Sequence, residues 1–324
     1  MGLLIFNSCE KTFVGENPEN THINNFELLW NDFDQHYSRF IYKGIDWDSI
    51  YNVYQPSVNN DLSENQFFNL LTQMLSNLKD GHAILESEFK FYSYRGATYP
   101  SNFNQSNIHL NYLNNNNQKG PFIYGEIEND LIYIYIDNFA EEDKEYLFID
   151  DILSTYSTAK GIIIDVRSNH GGDEPEAKTI ASRFTDKSHV FKYNKYRNGP
   201  EYVDVETYES KIQPAGEVQF LKEVVVLQNR YTGSAAEDFI LMMKALPNAT
   251  IIGDYSSGGA GGCPLTRELP NGWIYRIPTC LQLDLNEKPF ETVGIEPDIY
   301  IVFELNDETN GVDRILEEAI NLLK

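Results

Sequence analysis

Ser234 lies in a segment whose residue types could support nucleophilic chemistry. An apolar strand from Glu223 to Leu227 leads into a polar turn, and the predicted helix after it opens Ser234-Ala235-Ala236-Glu237. A serine at a helix start is often an N-cap. Alternatively, its Oγ faces a cleft, and the free N–H groups of the first helical turn stabilise an oxyanion beside it. The segment alone leaves both interpretations open.

A second turn offers backbone N–H groups. The apolar run from Gly161 to Val166 predicts a buried strand, which leads through His170 into Gly171-Gly172 and a predicted helix over residues 174–184. Adjacent glycines permit positive φ and expose N–H groups that bind anions. An ordinary strand-to-helix turn has the same pattern, so this signal is weak alone.

A serine nucleophile needs a general base, and the sequence has six histidines. His82 follows Lys79-Asp80-Gly81 at a predicted helix end, where a lone histidine usually serves only the helix dipole. His170 adjoins the glycine pair and is a rival base. The other histidines lie in segments without chemical context.

Other kinds of site find no support in the sequence. It has no HExxH, GxSxG, P-loop or GxGxxG pattern, and no metal-ligand spacing stands out. We therefore predict neither a metal nor a cofactor. The glycine-rich stretch from Gly258 to Gly262 is either a loop near the active site or a hairpin connection.

The elements that must position these residues divide the chain into four predicted parts. Residues 1–20 are a signal remnant and tether, and residues 21–86 are a helical subdomain with apolar stripes around Phe26, Trp47 and Phe67. Residues 87–130 form a β-rich connector. Residues 131–324 alternate strands with helices and close with a helix, which predicts an α/β core.

Composition narrows the classes of function. Lys+Arg total 25 and Asp+Glu 49, a formal net charge of −24, and such a surface repels phosphate backbones, so we predict no nucleic-acid partner. No apolar run is long enough for a membrane-spanning helix. Of the three cysteines, Cys263 and Cys280 could pair if the protein lies outside the cytoplasm, but the favoured expectation is two buried free thiols.

Three separated segments together resemble the S41 family of serine peptidases, the tail-specific, C-terminal-processing proteases with the tricorn core peptidase as a relative. They are Leu78–His82, Gly161–Gly172, and Asn229–Glu237 followed by Gly294-Ile295-Glu296-Pro297-Asp298. The resemblance covers roughly residues 24–303. It implies a Clp-protease/crotonase-like spiral core. Fewer than 50 residues separate His82 from the strand at Leu131, so we expect no PDZ domain.

The resemblance also assigns catalytic roles. Ser234 falls on the nucleophile, and Gly171 or Gly172 falls on the oxyanion hole together with the N–H of Ala235. The tail-specific branch has a lysine base on the stretch after the next strand, but residues 253–260 contain no lysine. The tricorn-like branch has a histidine that His82 matches.

That branch adds two further groups to the histidine. One is a neighbouring serine, replaced here by Gly81. The other is a glutamate that Glu291 matches, although Glu291 is equally well explained as a solvated turn residue. The predicted function is peptide-bond hydrolysis through an acyl-enzyme on Ser234, with His82 as general base and a peptide or protein as substrate.

Alternative functions stay open at this stage. A family member without catalysis would serve as a binding module for a peptide or an apolar ligand, and a catalytic one could act on an ester or a wall-derived peptide. Residues 2–8 and Cys9 resemble the end of a bacterial lipoprotein signal. We therefore predict a cell-envelope protein, lipid-anchored at Cys9 or periplasmic. The alternative is that the N-terminal residues have no targeting role.

Overall fold

The computed structural model describes residues 18–301, Asp307 and residues 310–324. The predicted lipidation site, Cys9, lies outside the described residues. The chain forms two compact units. Unit 1 comprises the residues up to Gly96 with Arg197–Val205 and Cys263–Cys280; unit 2 comprises Ala97–Tyr196, Glu206–Gly262 and Leu281–Lys324.

The regular elements are numbered in chain order. The helices are α1 His22–His36, α2 Phe40–Lys43, α3 Trp47–Tyr54, α4 Glu64–Ser76, α5 Gln105–Asn111, α6 Asp143–Tyr146, α7 Ile149–Thr155, α8 Glu174–Ala181, α9 Ala235–Lys244 and α10 Arg314–Leu322. The strands are β1 Ile84–Glu86, β2 Phe91–Tyr92, β3 Asn117–Lys119, β4 Phe122–Ile127, β5 Leu131–Ile136, β6 Gly161–Asp165, β7 His189–Arg197, β8 Val205–Ile212, β9 Val224–Gln228, β10 Ala249–Gly253, β11 Pro264–Glu268, β12 Ile274–Pro278, β13 Cys280–Leu283 and β14 Ile299–Tyr300.

Unit 1 begins with helices whose starts are locally encoded. Thr21 and Asp46 cap α1 and α3, and Ser63 and Gln66 form the predicted capping box of α4. The apolar stripes of these helices form one core around Phe26, Trp47 and Phe67. The prediction of helices with apolar stripes in this part of the chain is confirmed. Helix α4 ends at Ser76, before the expected stop at Gly81.

The sheet of unit 1 brings together distant parts of the sequence. Its strand order is β11-β12-β1-β2, with antiparallel pairing throughout. Pro264 of β11 lies opposite Pro278 of β12, so Cys263 and Cys280 flank the same end of this pair. The two cysteines form a disulfide, with Cα atoms 5.6 Å apart. The expectation of two free thiols is therefore wrong.

Unit 2 contains the α/β core that the sequence predicted. Its seven-stranded sheet has the order β14-β10-β9-β6-β5-β4-β3. The strands from β14 to β5 are parallel, and β4 and β3 are antiparallel additions. Strands β5, β6 and β9 are buried along their whole length, as expected of strands covered on both faces.

Some elements of unit 2 differ from the expectation. The helix expected over residues 141–154 is divided into α6 and α7. Strands β7, β8 and β13 form a separate sheet that the sequence reading did not assign. Most of β8 is exposed, so it lacks the apolar alternation by which a strand is recognised. In the described chain, no helix is long and apolar enough to cross a bilayer.

Candidate active site

Ser234 has an unusual backbone conformation at the start of α9. Its φ is 55° and its ψ is −127°, whereas an ordinary N-cap residue is extended. A non-glycine residue in this region is strained and persists only where its surroundings hold it in place. Ser234 does occupy the N-cap position and forms a capping box with Glu237, but capping alone does not account for its strained backbone.

Hydrogen bonds from several segments hold this turn. The Ser234 N–H donates to the carbonyl oxygen of Gly259 and to Oε2 of Glu237, both at 3.2 Å. Gly233 N–H donates to the carbonyl of Asn169 at 3.0 Å. The turn is thus hydrogen-bonded to its own helix, to the loop after β6 and to the glycine-rich stretch. That stretch therefore lies near Ser234, which was one of the two possibilities left open for it by the sequence.

Glu237 is a buried acid that anchors the glycine-rich stretch. It accepts hydrogen bonds from the Ser256 hydroxyl at 2.6 Å and the Gly258 N–H at 2.8 Å. Burial raises the pKa of Glu237 to about 8, although these two donors oppose the shift. Glu237 had no role of its own among the residues predicted from the sequence. Its position three residues after Ser234 is visible in the sequence, but only the fold shows that its carboxyl group is buried and hydrogen-bonded.

Gly171 lies against the serine turn, and Gly172 lies against the backbone of Phe139. An added Cβ would lie 2.8 Å from the Ala235 nitrogen at Gly171, and 2.0 Å from the Phe139 carbonyl oxygen at Gly172. Both glycines have positive φ, 94° and 147°, so side chains are excluded by both conformation and space. This close approach places the two turns side by side.

The predicted oxyanion donors are not equally available. The Gly171 N–H donates to Oδ1 of Asn169 at 2.8 Å, so it is already used within the loop. In the part of the chain that the structure describes, the N–H groups of Gly172 and Ala235 have no acceptor. Of the two glycines between which the sequence left the donor open, only Gly172 therefore has an N–H that is not already bonded within the described residues.

His82 lies in unit 1, just before β1, in a polar and charged environment. Its backbone N–H donates to Oδ1 of Asp80 at 2.9 Å. Asp80 in turn accepts from the Tyr37 hydroxyl at 2.8 Å and from Arg39 at 2.9 Å. Burial lowers the pKa of His82, and the Asp80 charge opposes this effect. The imidazole is therefore neutral at neutral pH, the form that accepts a proton.

Glu291 is buried, with 3% of its surface exposed. The alternative that it is a solvated turn residue is therefore wrong. The Thr292 N–H donates to the Gly258 carbonyl at 2.7 Å, so this loop packs on the glycine-rich stretch. The Glu291 charge also raises the pKa of Glu237, which places the two carboxyl groups near each other in unit 2.

His170, the rival base, is exposed and its ring packs edge-on against Tyr231, with centroids 6.2 Å apart. Tyr231 is itself fixed, because its hydroxyl donates to the Tyr99 carbonyl at 2.5 Å. Unit 2 thus brings together Ser234, Ala235, Gly171, Gly172 and Glu291, while His82 belongs to unit 1.

Two family models match segments of this chain. The family model described as "Peptidase family S41" matches residues 130–301, more than half of the chain. The chain belongs to peptidase family S41. A second model, "Tricorn protease C1 domain", matches residues 18–76. The S41 match contains Ser234, the glycine pair and Glu291, whereas His82 lies between the two matched segments.

Individual S41 relatives support the same assignment. The chain is 28% identical to the carboxy-terminal-processing protease of Bartonella bacilliformis over 197 residues, which cover 60% of this chain and 44% of that one. It is 29% identical to the carboxy-terminal processing protease CtpA of Bacillus subtilis over 179 residues, covering 55% and 36%. The chain therefore spans less than half the length of these two relatives.

One solved structure matches nearly the whole chain. It is a protein of Parabacteroides merdae, solved as a candidate peptidase, with 32% identity, a TM-score of 0.81 and coverage of 94% of this chain and 97% of that one. The S41 α/β fold expected from the sequence is thus confirmed by both the family match and this structure.

Proposed function

We propose that this S41 member hydrolyses peptide bonds through an acyl-enzyme on Ser234. The observation that carries the proposal is the strained Ser234 backbone at the start of α9. In the described chain the N–H groups of Ala235, beside it, and of Gly172, in the adjoining glycine turn, lack an acceptor. Strain of this kind concentrates at functional sites. A serine that only capped the helix would have no need of it.

In the proposed mechanism, Ser234 Oγ attacks the carbonyl carbon of the scissile bond as His82 takes the hydroxyl proton. The oxyanion accepts hydrogen bonds from Gly172 and Ala235, and each such donor is worth on the order of 10²-fold in rate. His82 then gives its proton to the leaving amine. Water, deprotonated by His82, hydrolyses the ester and restores Ser234.

Three other residues receive supporting roles in this proposal. Glu291 stabilises the imidazolium form of His82, as the resemblance implied. Glu237 fixes the backbone of the nucleophile through the Ser234 N–H and the glycine-rich stretch. Gly171 contributes close approach rather than a donor, because its N–H is held by Asn169.

A fluorophosphonate probe tests this proposal directly, since an activated serine oxygen attacks its phosphorus, displaces fluoride and becomes phosphonylated. We expect one adduct, on Ser234, when the labelled protein is digested and mapped by mass spectrometry. His82→Ala should slow labelling at least about 10²-fold, and Ser234→Ala should abolish both labelling and peptide cleavage while its thermal unfolding stays close to that of the wild type.

His170→Ala is the matched control for the base. Labelling that survives loss of His82 and fails on loss of His170 would transfer the role of base to His170. If the folded wild type is not labelled, the proposed hydrolase activity is contradicted and a binding module is favoured. Faster turnover of esters than of matched peptides would move the substrate class to esters.

We further propose a cell-envelope location with a lipid anchor at Cys9. The apolar residues before Cys9 support this, and the Cys263–Cys280 disulfide fits an oxidising compartment. Mass spectrometry of the membrane fraction should find a diacylglyceryl group on Cys9. An unmodified Cys9 in protein from that fraction would contradict the anchor.

A further inference from the structure

Lys192 of β7 is a buried cation that the proposed chemistry does not use. It is 1% exposed, and its Nζ donates to Oδ1 of Asp238 at 2.6 Å and to Oε2 of Glu174 at 2.8 Å. Removing a charge from water is costly unless it is paired. A lysine at this position therefore needs both of its acidic partners.

The two partners lie in the first turns of α8 and α9, the helices that begin just after Gly172 and at Ala235, the two proposed oxyanion donors. Glu174 is the first residue of α8, immediately after Gly172 and Asp173. Asp238 lies in the first turn of α9, which begins at Ala235. The ammonium group thus joins the segment that holds the Gly172 N–H to the segment that holds the Ala235 N–H.

An oxyanion hole built on two turns depends on the distance between them. The two donors must both reach one oxygen, and a misplacement of about 1 Å costs on the order of 10²-fold in rate. The backbone contact at Gly171 and the hydrogen bond from the Gly233 N–H to the Asn169 carbonyl join the two turns in the loops before the helices. Lys192 adds a charged link between the first turns of the two helices.

Resting on the proposed function, we infer that Lys192 is a positioning residue that sets the separation of Gly172 and Ala235. It touches neither substrate nor reacting atoms. The charges of Asp238 and Glu174 raise the pKa of Lys192 against the effect of burial. The ammonium form, which has donors for both partners at once, is therefore maintained.

Lys192→Met tests this inference, with Arg183→Met as the matched control. Arg183 is also buried in unit 2 and pairs with Asp150 at 2.8 Å, but it follows the far end of α8 and contacts neither turn. Lys192→Met leaves two carboxylates without their cation and Arg183→Met leaves one, so both should lower the thermal unfolding temperature. Only Lys192→Met should lower kcat, by roughly 10–100-fold, with KM within about threefold of the wild type.

Two further variants separate positioning from stability. Lys192→Arg keeps the charge and should recover a large part of kcat. Lys192→Met combined with Asp238→Asn removes a stranded charge, so it should recover stability but not kcat. An equal kcat loss in Lys192→Met and Arg183→Met, or recovery of kcat along with stability in the double variant, would overturn the inference.

Hydrogen exchange gives a readout that does not depend on catalysis. The Asp173 N–H is bonded to the Phe139 carbonyl and the Glu237 N–H to the Ser234 carbonyl, both at 2.8 Å. Exchange at these two amides should accelerate in Lys192→Met and not in Arg183→Met. An inactive wild type would contradict the proposed function. Unchanged exchange at both turns in Lys192→Met would contradict only the positioning role of Lys192.

Discussion

Glu237 is the residue of the Ser234 turn whose behaviour depends most on burial. Its carboxyl is fully enclosed and accepts from Ser256 and Gly258. Burial raises its pKa from 4.5 to about 8. Between these values the folded protein retains a proton that the unfolded chain has lost, and the free energy of unfolding therefore falls as the pH rises through this range.

Glu237→Gln should flatten this pH dependence. In the wild type, Glu237 contributes a loss of up to about 1.4 kcal/mol per pH unit between its two pKa values. The variant cannot ionise, so the free energy of unfolding, measured in urea between pH 5 and pH 8, should fall less steeply. Exposed Glu223→Gln should leave the slope unchanged. Equal slopes for wild type and Glu237→Gln would contradict a raised pKa.

At the scale of the elements, a disulfide links the residue before β11 to the first residue of β13. The disulfide between Cys263 and Cys280 closes a loop with a sequence separation of 17 residues. Cross-linking a loop of this size restricts the unfolded chain and stabilises the folded one by roughly 3 kcal/mol. All three tryptophans, Trp30, Trp47 and Trp273, belong to unit 1, which also contains this pair.

Replacing both cysteines with serine should therefore destabilise unit 1. We expect its urea midpoint, followed by tryptophan fluorescence, to fall by an amount equivalent to roughly 3 kcal/mol. Adding a reductant to the wild type should produce a similar fall, and adding it to the double variant should do nothing further. A wild type that is indifferent to complete reduction, verified by thiol titration, would contradict this role.

At the scale of the whole molecule, charge is the dominant feature. A formal net charge of −24 attracts cationic ligands over distances up to about a Debye length, roughly 10 Å at 0.1 M salt. This field raises the rate at which basic peptides encounter the proposed peptidase. It leaves the chemical step unaffected.

Raising the ionic strength from about 0.05 to 0.5 M should thus lower kcat/KM for a lysine-rich peptide several-fold. A neutral peptide with the same scissile residues is the control and should change by less than about twofold. The comparison uses initial rates at subsaturating substrate. Equal salt dependence for the two peptides would mean that the net charge does not influence substrate capture.

Local patterns in the sequence predicted much of this protein. The capping box at Ser63, the apolar stripes of the first helices and the buried runs of β6 and β9 were recognisable because each depends on neighbours within one or two turns. The order of motifs around His82, Gly171 and Ser234 likewise identified the S41 resemblance, which the comparisons confirmed. Exposed β8 was missed because its residues have no apolar periodicity.

Tertiary structure decided the properties that depend on distant neighbours. Only the fold could show that Cys263 and Cys280 flank one end of a strand pair, that Asn169 occupies the Gly171 N–H, or that Lys192 joins the starts of two helices. Burial and hydrogen-bond geometry arise from contacts between residues far apart in the chain. A sequence can identify the groups capable of chemistry, whereas their availability is determined by what packs against them.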